Sequence, residues 1–308
     1  MRDPVPFGRY LLLERVDVGG MAEVFRARVV AGDGAGRLVA VKRLLPTLAE
    51  DPELVRMFLD EARIAVQLDH PGVARVEDLG QHGSTYFIAL EYVEGRPLKA
   101  LLDALGARAE RLPVPLACHV ALRLLEALDH VHGRRGADGR PLAIVHRDVS
   151  PQNVLLSYAG EVKLVDFGLA EAGARGAPFV PGVVRGKAAY LAPEAARGER
   201  VDARADLFSA GVVLHELLAG RRLFAAPTDL LAVQRVLEAE VPSPRAANPE
   251  VPERLAGAVL SALERDPDRR PASAAALAAA IAPYADGAGA EALARVVAER
   301  LRPAVRRA

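Results

Sequence analysis

Three polar side chains between residues 148 and 166 have the types and spacing to bind a metal ion and to accept a proton. Asn153 begins the run NVLLS and Asp166 ends the run VKLVD, with Tyr158-Ala159-Gly160 as a hairpin turn between them. Paired strands would bring Asn153 and Asp166 to one end, where a carboxylate and an amide oxygen suit Mg²⁺. Asp148, on the preceding loop, would then be free to accept a proton from an incoming hydroxyl.

A lysine and a glutamate in the first ninety residues form a second candidate pair. Lys42 lies in the apolar run VAVKRLL, where an ordinary solvated lysine on a strand is the alternative. Glu61, nineteen residues later, would reach Lys42 as an ion pair and aim its ammonium at phosphate oxygens. Gly19 and Gly20 form a turn that would let backbone amides approach a polyphosphate, although such turns are common.

Short apolar runs separated by turns predict an antiparallel sheet before residue 94. The strand candidates are RYLLLERV (9–16), AEVFRARVV (22–30), RLVAVKRLL (37–45) and TYFIALEYV (85–93). One helix is predicted in DPELVRMFLDEARIAVQL (51–68), where Phe58, Ala62 and Ala65 recur at helical spacing after Asp51-Pro52.

The chain becomes mainly helical after EGRPL (94–98). Amphipathic patterns predict helices at 114–133, 204–219, 228–239, 252–264 and 273–283. The fold class is therefore α+β, with domains predicted at 1–93 and 94–285 and a helical tail at 286–308. Polar motifs at the junction predict a site between the two parts. For the tail, a capping or linker helix and a docking surface both stay open.

Composition narrows the classes of partner and compartment. The 308 residues are 51% hydrophobic and 26% charged, too apolar for disorder. Forty basic residues balance forty acidic ones, so bulk charge predicts neither a nucleic-acid partner nor a membrane surface. Cys118 is the single cysteine, which excludes an internal disulfide and, in its apolar run, predicts a buried thiol. The absence of a signal sequence or a membrane-spanning run leads us to expect a cytoplasmic protein.

Taken in order along the chain, these motifs resemble the signature set of protein kinases. They are Gly19-Gly20, Lys42, Glu61, HRDVSPQN (146–153), DFG (166–168) and APE (192–194). DLFSAG (206–211) and DPDRRP (266–271) match positions that hold the helical lobe together. Over about residues 9–283 the chain is similar to bacterial, eukaryotic-like (Hanks-type) Ser/Thr protein kinases. The resemblance implies a bilobal fold, with a small antiparallel-sheet N-lobe carrying one main helix and a larger, mainly helical C-lobe.

The resemblance also implies residue roles in a reaction that uses ATP and Mg²⁺. Lys42, oriented by Glu61, would hold the α- and β-phosphates, and Asn153 and Asp166 would bind Mg²⁺. Asp148 would position the substrate hydroxyl and accept its proton. The other implied nucleotide contacts are Val16, Gly19, Gly20, Val24, Ala40, Leu90 at the gatekeeper position, Glu91, Val93 and Leu155.

Further positions match structural rather than chemical roles in the family. Glu194 and Arg270 resemble the buried ion pair that anchors the activation segment. His146 matches a packing residue beside the catalytic loop, and a satisfied core histidine is expected there rather than a general base.

Ser150 and Lys187 depart from the family pattern together. The family usually has a lysine at the position of Ser150, where it contacts the γ-phosphate, and a threonine at the position of Lys187. We hypothesise that Lys187 supplies the ammonium group from the opposite side of Asp148. Ser150 would then take the bridging role that the hydroxyl of the family's threonine usually has. The alternative is a relaxed site with a surface lysine.

Two more departures concern phosphorylation and the phosphate loop. Residues 167–186 contain no Ser, Thr or Tyr. Arg147 matches an arginine that in many kinases pairs with a phosphorylated loop residue. We therefore predict that phosphorylation of this loop does not switch activity on. In place of a phosphate, either Glu171 would pair with Arg147 or the apolar part of the loop would dock by packing.

Asp17 stands where the family's first glycine usually is, and its carboxylate would either repel phosphates or point into solvent.

Three functions are compatible with these motifs. The first is a protein kinase acting on Ser/Thr hydroxyls of protein substrates. The second is a pseudokinase, a nucleotide-gated scaffold that binds a partner without catalysis, and the third is a kinase-fold enzyme acting on a small molecule. The APE motif disfavours the third. Expected partners are protein substrates, with a regulatory protein or a second copy of the chain; neither nucleic acid nor a membrane segment is expected.

Overall fold

The computed structural model describes residues 3–136, 138–167 and 187–302 of the chain. These residues fall into two compact units. Residues 3–93 with Phe167 form the first unit, and residues 94–166 and 187–302 form the second.

The first unit is built on an antiparallel sheet with the strand order β1-β2-β3-β4-β6-β5. Its strands are β1 (Val5–Phe7), β2 (Tyr10–Val18), β3 (Ala22–Val29), β4 (Leu38–Leu44), β5 (Val76–His82) and β6 (Thr85–Glu91). The four predicted strands correspond to β2, β3, β4 and β6, whereas β1 and β5 were not predicted. The polar sequence of β5, VEDLGQH, lacks strand character by itself, and pairing with β6 makes it a strand.

Helix α1 (Pro52–Ala65) begins where the sequence predicts. The Asp51 carboxylate accepts hydrogen bonds from the backbone amides of Glu53 and Leu54, and Pro52 occupies the first turn, where no amide partner is lost. Phe58 and Ala62 of α1 are buried in one apolar cluster with Ile88 of the sheet. A second cluster, which includes Val39, Val41 and Ala89, covers the opposite face of the same strands. The sheet is therefore apolar on both faces.

The second unit is mainly helical. Its elements are β7 (Gly95–Pro97), α2 (Leu98–Gly106), α3 (Val114–His132), β8 (Val154–Ser157), β9 (Val162–Leu164), α4 (Pro193–Ala196), α5 (Ala203–Ala219), α6 (Asp229–Glu238), α7 (Glu253–Ala262), α8 (Ala274–Ile281) and α9 (Ala290–Leu301). The five helices predicted in this part form as α3, α5, α6, α7 and α8. Helix α5 is its centre, since every residue from Ala205 to Ala219 is buried. Cys118 is buried on α3, and burial raises the pKa of its thiol to about 12, as expected for a structural thiol.

The predicted hairpin forms between β8 and β9. Val154 pairs with Leu164 and Leu156 with Val162, and the amide of Val165 donates to the carbonyl of Asn153 at 2.9 Å. The strand is shorter than the run VKLVDFG suggested, because Asp166 has a left-handed backbone conformation with φ +55°.

The tail helix α9 packs against this hairpin and against α2. Leu293 and Val297 are buried, and Arg300 Nη2 lies 2.8 Å from Glu110 Oε2. Gly160 has φ +87°, and a Cβ there would lie 1.9 Å from the carbonyl oxygen of Ala290. Only glycine allows this close approach of the hairpin turn to α9.

Helices long and apolar enough to cross a bilayer are absent from the described ranges.

Candidate active site

The predicted ion pair of Lys42 and Glu61 forms within the first unit. Nζ of Lys42 lies 2.7 Å from Oε1 of Glu61, and the two side chains are 14% and 8% exposed. Lys42 is on β4 and Glu61 is buried on α1, so the helix that packs on the sheet supplies the carboxylate. A buried, charge-assisted contact of this kind holds a long ammonium side chain in one orientation.

Three of the implied nucleotide contacts, Val24, Ala40 and Leu90, lie on the Lys42 face of the sheet. Val24 pairs with Lys42 and Ala40 pairs with Leu90, and side chains of paired residues share one face. Val24, Ala40 and Leu90 are only half-buried, unlike Val39 and Val41 on the other face. An apolar surface for a flat ring is therefore available beside the ammonium.

The other predicted nucleotide contacts differ in exposure and are divided between the two units. Val16 is 49% exposed on β2, and Val93 is buried at the end of the first unit. The amide of Glu91 donates to the carbonyl of Arg75 at 2.8 Å. Leu155 is half-buried on β8 of the second unit. Their roles stay predictions.

The predicted glycine turn connects β2 and β3. The amide of Gly19 donates to the carbonyl of Ala22 at 2.8 Å, and a Cβ on Gly20 would meet nothing within 4 Å. Asp17 is exposed, and its carboxylate accepts a hydrogen bond from the adjacent amide of Val18 at 2.8 Å. That local bond ties the carboxylate to its own strand end.

In the second unit, Asp206 of α5 holds the backbone of the loop HRDVSPQN (146–153). Its two carboxylate oxygens accept the amides of His146 and Arg147, each at 2.8 Å. Arg147 has φ +69°, a strained conformation for a residue with a Cβ, and these bonds help to maintain it. His146 is completely buried, and burial lowers its pKa, so the ring is neutral and packs as predicted.

The side chains of Asn153 and Lys187 hold one oxygen of the Asp148 carboxylate. Its Oδ2 accepts a hydrogen bond from Asn153 Nδ2 at 2.6 Å, and Asn153 Nδ2 also donates to the Asp148 carbonyl at 2.9 Å. The Lys187 ammonium contacts the same Oδ2. Among the described residues nothing donates to Oδ1 of Asp148. One oxygen is thus held by two donors, and the other is available to a hydroxyl.

Lys187 lies beside Asp148, as required by the hypothesis that Lys187 and Ser150 have exchanged the family's usual lysine and threonine roles. Its Nζ also lies 3.4 Å from Oδ1 of Asn153, and its side chain is 19% exposed. Ser150 is completely buried, and its hydroxyl has no hydrogen-bond partner in the described part of the chain. Lys187 is therefore not a surface lysine, whereas the bridging role of Ser150 stays a prediction.

The predicted metal ligands are brought to one end of the β8–β9 hairpin. Asn153 and Val165 are bonded through their backbones, and Asp166 follows directly. In the described ranges no group of three or more His, Cys, Asp or Glu side chains forms a metal site. A carboxylate and an amide oxygen nevertheless fit Mg²⁺, which takes few protein ligands when phosphates and water complete its shell.

Also in the second unit, Glu194 and Arg270 form the predicted buried ion pair. Their two contacts, Nη1 to Oε1 and Nη2 to Oε2, are both 2.7 Å, and the side chains are 5% and 0% exposed. Parallel contacts of this kind fix both the distance and the plane of the two groups.

Residues 10–281 match the protein kinase domain family. The chain belongs to this family. It is 40% identical to Tyrosine-protein kinase MasK of Myxococcus xanthus over 276 residues. This alignment covers 90% of this chain and 43% of MasK. The chain is 36% identical over 263 residues to Serine/threonine-protein kinase PrkC of Bacillus subtilis, covering 85% of this chain and 38% of that protein. The crystal structure of the Mycobacterium tuberculosis PknI kinase domain matches with a TM-score of 0.67 at 27% identity, over 92% of this chain and 99% of that one.

The chain spans less than half the length of MasK and PrkC. It has the protein-kinase fold, with an antiparallel-sheet unit carrying one main helix and a mainly helical unit. Gly168 of DFG and Glu171, the predicted partner of Arg147, lie outside the described residues.

The sequence analysis did not predict that the buried carboxylate of Glu216 would bind Tyr190 and Leu223. The Tyr190 hydroxyl donates to Glu216 Oε2 at 2.8 Å, and the amide of Leu223 donates to Oε1 at 3.1 Å. Burial raises the pKa of Glu216 to about 7. The available signal was a lone acid in the apolar helical run GVVLHELLAG.

Proposed function

We propose that the chain transfers the γ-phosphoryl group of ATP to Ser/Thr hydroxyls of protein substrates. The observation that carries this proposal is the Asp148 carboxylate, held at Oδ2 by Asn153 and Lys187 with Oδ1 available. The substrate oxygen attacks the γ-phosphorus, the bond to the ADP oxygen breaks, and the hydroxyl proton passes to Asp148.

Other residues act on the phosphates. Lys42, oriented by Glu61 at 2.7 Å, binds the α- and β-phosphates. Asn153 and Asp166 hold Mg²⁺, which when bound neutralises charge on the phosphate oxygens. Lys187 supplies an ammonium beside Asp148, where charge develops on the transferring group.

The choice of Ser/Thr over Tyr rests on the catalytic loop. Tyrosine kinases usually carry Ala and Arg after the catalytic Asp, and VSPQN (149–153) has neither. The relatives carry both designations, since PrkC is named a Ser/Thr kinase and MasK a tyrosine kinase. The acceptor residue is therefore part of the test.

Independence from loop phosphorylation completes the proposal. The segment 167–186 has no hydroxyl side chain, so Arg147 has no phosphorylated partner there. In the described ranges the exposed Arg147 side chain makes no hydrogen bond or ion pair.

The test is transfer of labelled phosphate from ATP with Mg²⁺ to matched Ser, Thr and Tyr peptides, with Asp148→Asn alongside. We expect transfer to Ser and Thr peptides by the wild type and a loss of about 100-fold or more in the variant. Folded wild type that binds ATP without transferring phosphate would instead support the scaffold alternative. Transfer to the Tyr peptide alone would overturn the Ser/Thr assignment.

A further inference from the structure

A cavity of about 320 Å³ in the second unit touches both segments that carry the catalytic charges. Pro151, three residues after Asp148, lines it, and its carbonyl accepts the amide of Lys99 at 2.8 Å. Tyr190 also lines it, and its amide donates to the carbonyl of Lys187 at 2.9 Å. A peptide whose hydroxyl reaches Asp148 would therefore have neighbouring side chains near this cavity.

Two arginines reach the cavity from the end of α5. Gly220 ends the helix with φ +68°, and a Cβ there would lie 3.1 Å from Cβ of Arg111. The turn is anchored further on, where Leu223 donates its amide to the buried Glu216. Arg221 and Arg222, between these two anchors, are exposed and line the cavity.

The acids of the cavity wall are already engaged. Asp103 is paired with Lys99 of the same helix, and Glu110 is paired with Arg300 at 2.8 Å. Glu216 accepts hydrogen bonds from Tyr190 and Leu223, and its raised pKa leaves it partly protonated near neutral pH.

The cations of the wall are not neutralised to the same extent. Arg221 and Arg222 make no hydrogen bond or ion pair with any described residue, and the one hydrogen bond that the Arg111 side chain makes to a described residue goes to the carbonyl of Ala247 at 2.7 Å. The cavity thus has an excess of positive charge and retains unused guanidinium donors. Guanidinium groups recognise carboxylate and phosphate through paired hydrogen bonds.

We propose that this cavity binds an anionic side chain of the protein substrate, a carboxylate or a phosphate, next to the accepting hydroxyl. Arg221 and Arg222 are the recognition groups, and the substrate class is acidic peptide. This inference rests on the proposed kinase function and adds substrate selection to it.

Peptide kinetics test the inference. One neutral Ser peptide is compared with versions carrying a single Asp, phosphoserine or Arg, scanned through the positions on either side of the acceptor. At one position or a few, we expect kcat/KM to rise about fivefold with Asp or phosphoserine, the size of exposed ion-pair contacts, and to fall with Arg. The Asp and phosphoserine versions tell which anion the cavity prefers. Equal use of all versions, or a preference for Arg, would overturn the inference.

Charge reversal tests the residues. Arg221→Glu combined with Arg222→Glu is expected to shift the preference towards the Arg peptide. Arg254→Glu is the matched control, because Arg254 is exposed on α7 and does not line the cavity, so the acidic preference is expected to persist. Thermal unfolding checks that all variants fold. If wild type phosphorylates no peptide, the kinase proposal fails; if it phosphorylates all equally, only the substrate inference fails.

Discussion

The Lys187 ammonium contacts Oδ2 of Asp148 although the two residues are 39 positions apart in the chain. The family usually provides this cation from the position of Ser150, two residues after the catalytic Asp. Here the ammonium group beside Asp148 belongs to Lys187, in the segment that leads into APE. The electrostatic requirement of phosphoryl transfer concerns the place of the charge, so a different part of the backbone can supply it.

Replacement of Lys187 by Ala is expected to lower kcat about 100-fold, the usual effect of removing one preorganised electrostatic group. Lys187→Arg keeps the charge and should retain more activity than Lys187→Ala. Steady-state kinetics at saturating ATP measure both, with thermal unfolding as the check on folding.

The variant Lys187→Thr, with and without Ser150→Lys, tests whether the lysine and hydroxyl roles of positions 150 and 187 have changed places. We expect the double variant to be more active than Lys187→Thr alone, because the ammonium returns to the usual position. Ser150→Lys alone should be destabilised, since Ser150 is completely buried and two ammonium groups would face one carboxylate. Undiminished turnover by Lys187→Ala would contradict the hypothesis.

Glu61→Gln is expected to lower kcat/KM for ATP about tenfold, because the Lys42 ammonium loses a charge-assisted contact of 2.7 Å. The rise in melting temperature caused by ATP should shrink in parallel. Glu23→Gln is the control: Glu23 pairs at 2.7 Å with Arg43, which follows Lys42 on β4 and faces the other side of the sheet. Equal loss of the ATP effect in both variants would argue against a specific role for Glu61.

Phosphatase treatment of the purified protein is expected to leave its activity unchanged, because residues 167–186 contain no phosphorylatable hydroxyl. Arg147→Ala should also retain activity, since among the described residues the loop is held by the backbone amide of Arg147 and by no contact of its side chain. Turnover before and after treatment measures the first effect. A large loss after treatment would show that a phosphate elsewhere in the chain is required.

Glu216 should make stability depend on pH. Its folded pKa of about 7 exceeds the ordinary value of 4.5, so the folded state holds a proton that the unfolded state releases between these values. The contribution of Glu216 to the free energy of unfolding therefore falls as pH rises from about 4.5 to about 7, by about 3 kcal/mol, and levels off above.

Glu216→Gln cannot ionise, so its stability relative to wild type is expected to increase across that pH range. Urea unfolding at several pH values measures the difference. Glu240→Gln, at an exposed loop position, is the matched control and should follow the wild type. A constant difference between Glu216→Gln and wild type at all pH values would contradict this assignment.

Arg270→Met is expected to destabilise the fold by about 3–5 kcal/mol, because it leaves the Glu194 carboxylate buried without its cation. Arg270→Lys should restore little, since an ammonium cannot make two parallel contacts. The double replacement Glu194→Met with Arg270→Met should recover part of the loss. Urea unfolding of the wild type, Arg270→Met, Glu194→Met and the double variant gives the coupling energy between the two residues, and additive losses would argue against coupling.

Elements with a strong local pattern could be predicted from the sequence, and weaker ones could not. Helix α1 has both a cap at Asp51 and a clear apolar periodicity, and its bounds agree closely with the prediction. Helix α2 was missed, although Leu98, Leu101 and Leu105 are buried at helical spacing, because it is short and follows the turn-like residues Gly95 and Pro97. Strand β5 depends on its partner strand, which no local pattern reveals.

Within the candidate site, the pairing of Lys42 with Glu61 and the approach of Lys187 to Asp148 could be inferred, because family motifs relate positions that are distant in the chain. The cavity beside the loop could not, since Lys99, Pro151, Tyr190 and Arg222 come from four separate segments. The isolated hydroxyl of Ser150 is also a property of packing that residue type does not predict.

The two bonds from Asp206 to the loop amides also provide a spectroscopic handle on the site. Amide hydrogens of His146 and Arg147 exchange with deuterium only when these bonds open, so their exchange rates report the opening free energy of the loop without any substrate. In Asp206→Asn, one acceptor oxygen is replaced by a donor, and exchange at one of the two amides should accelerate. Protein preparations whose loop has loosened could therefore be recognised before any assay is run.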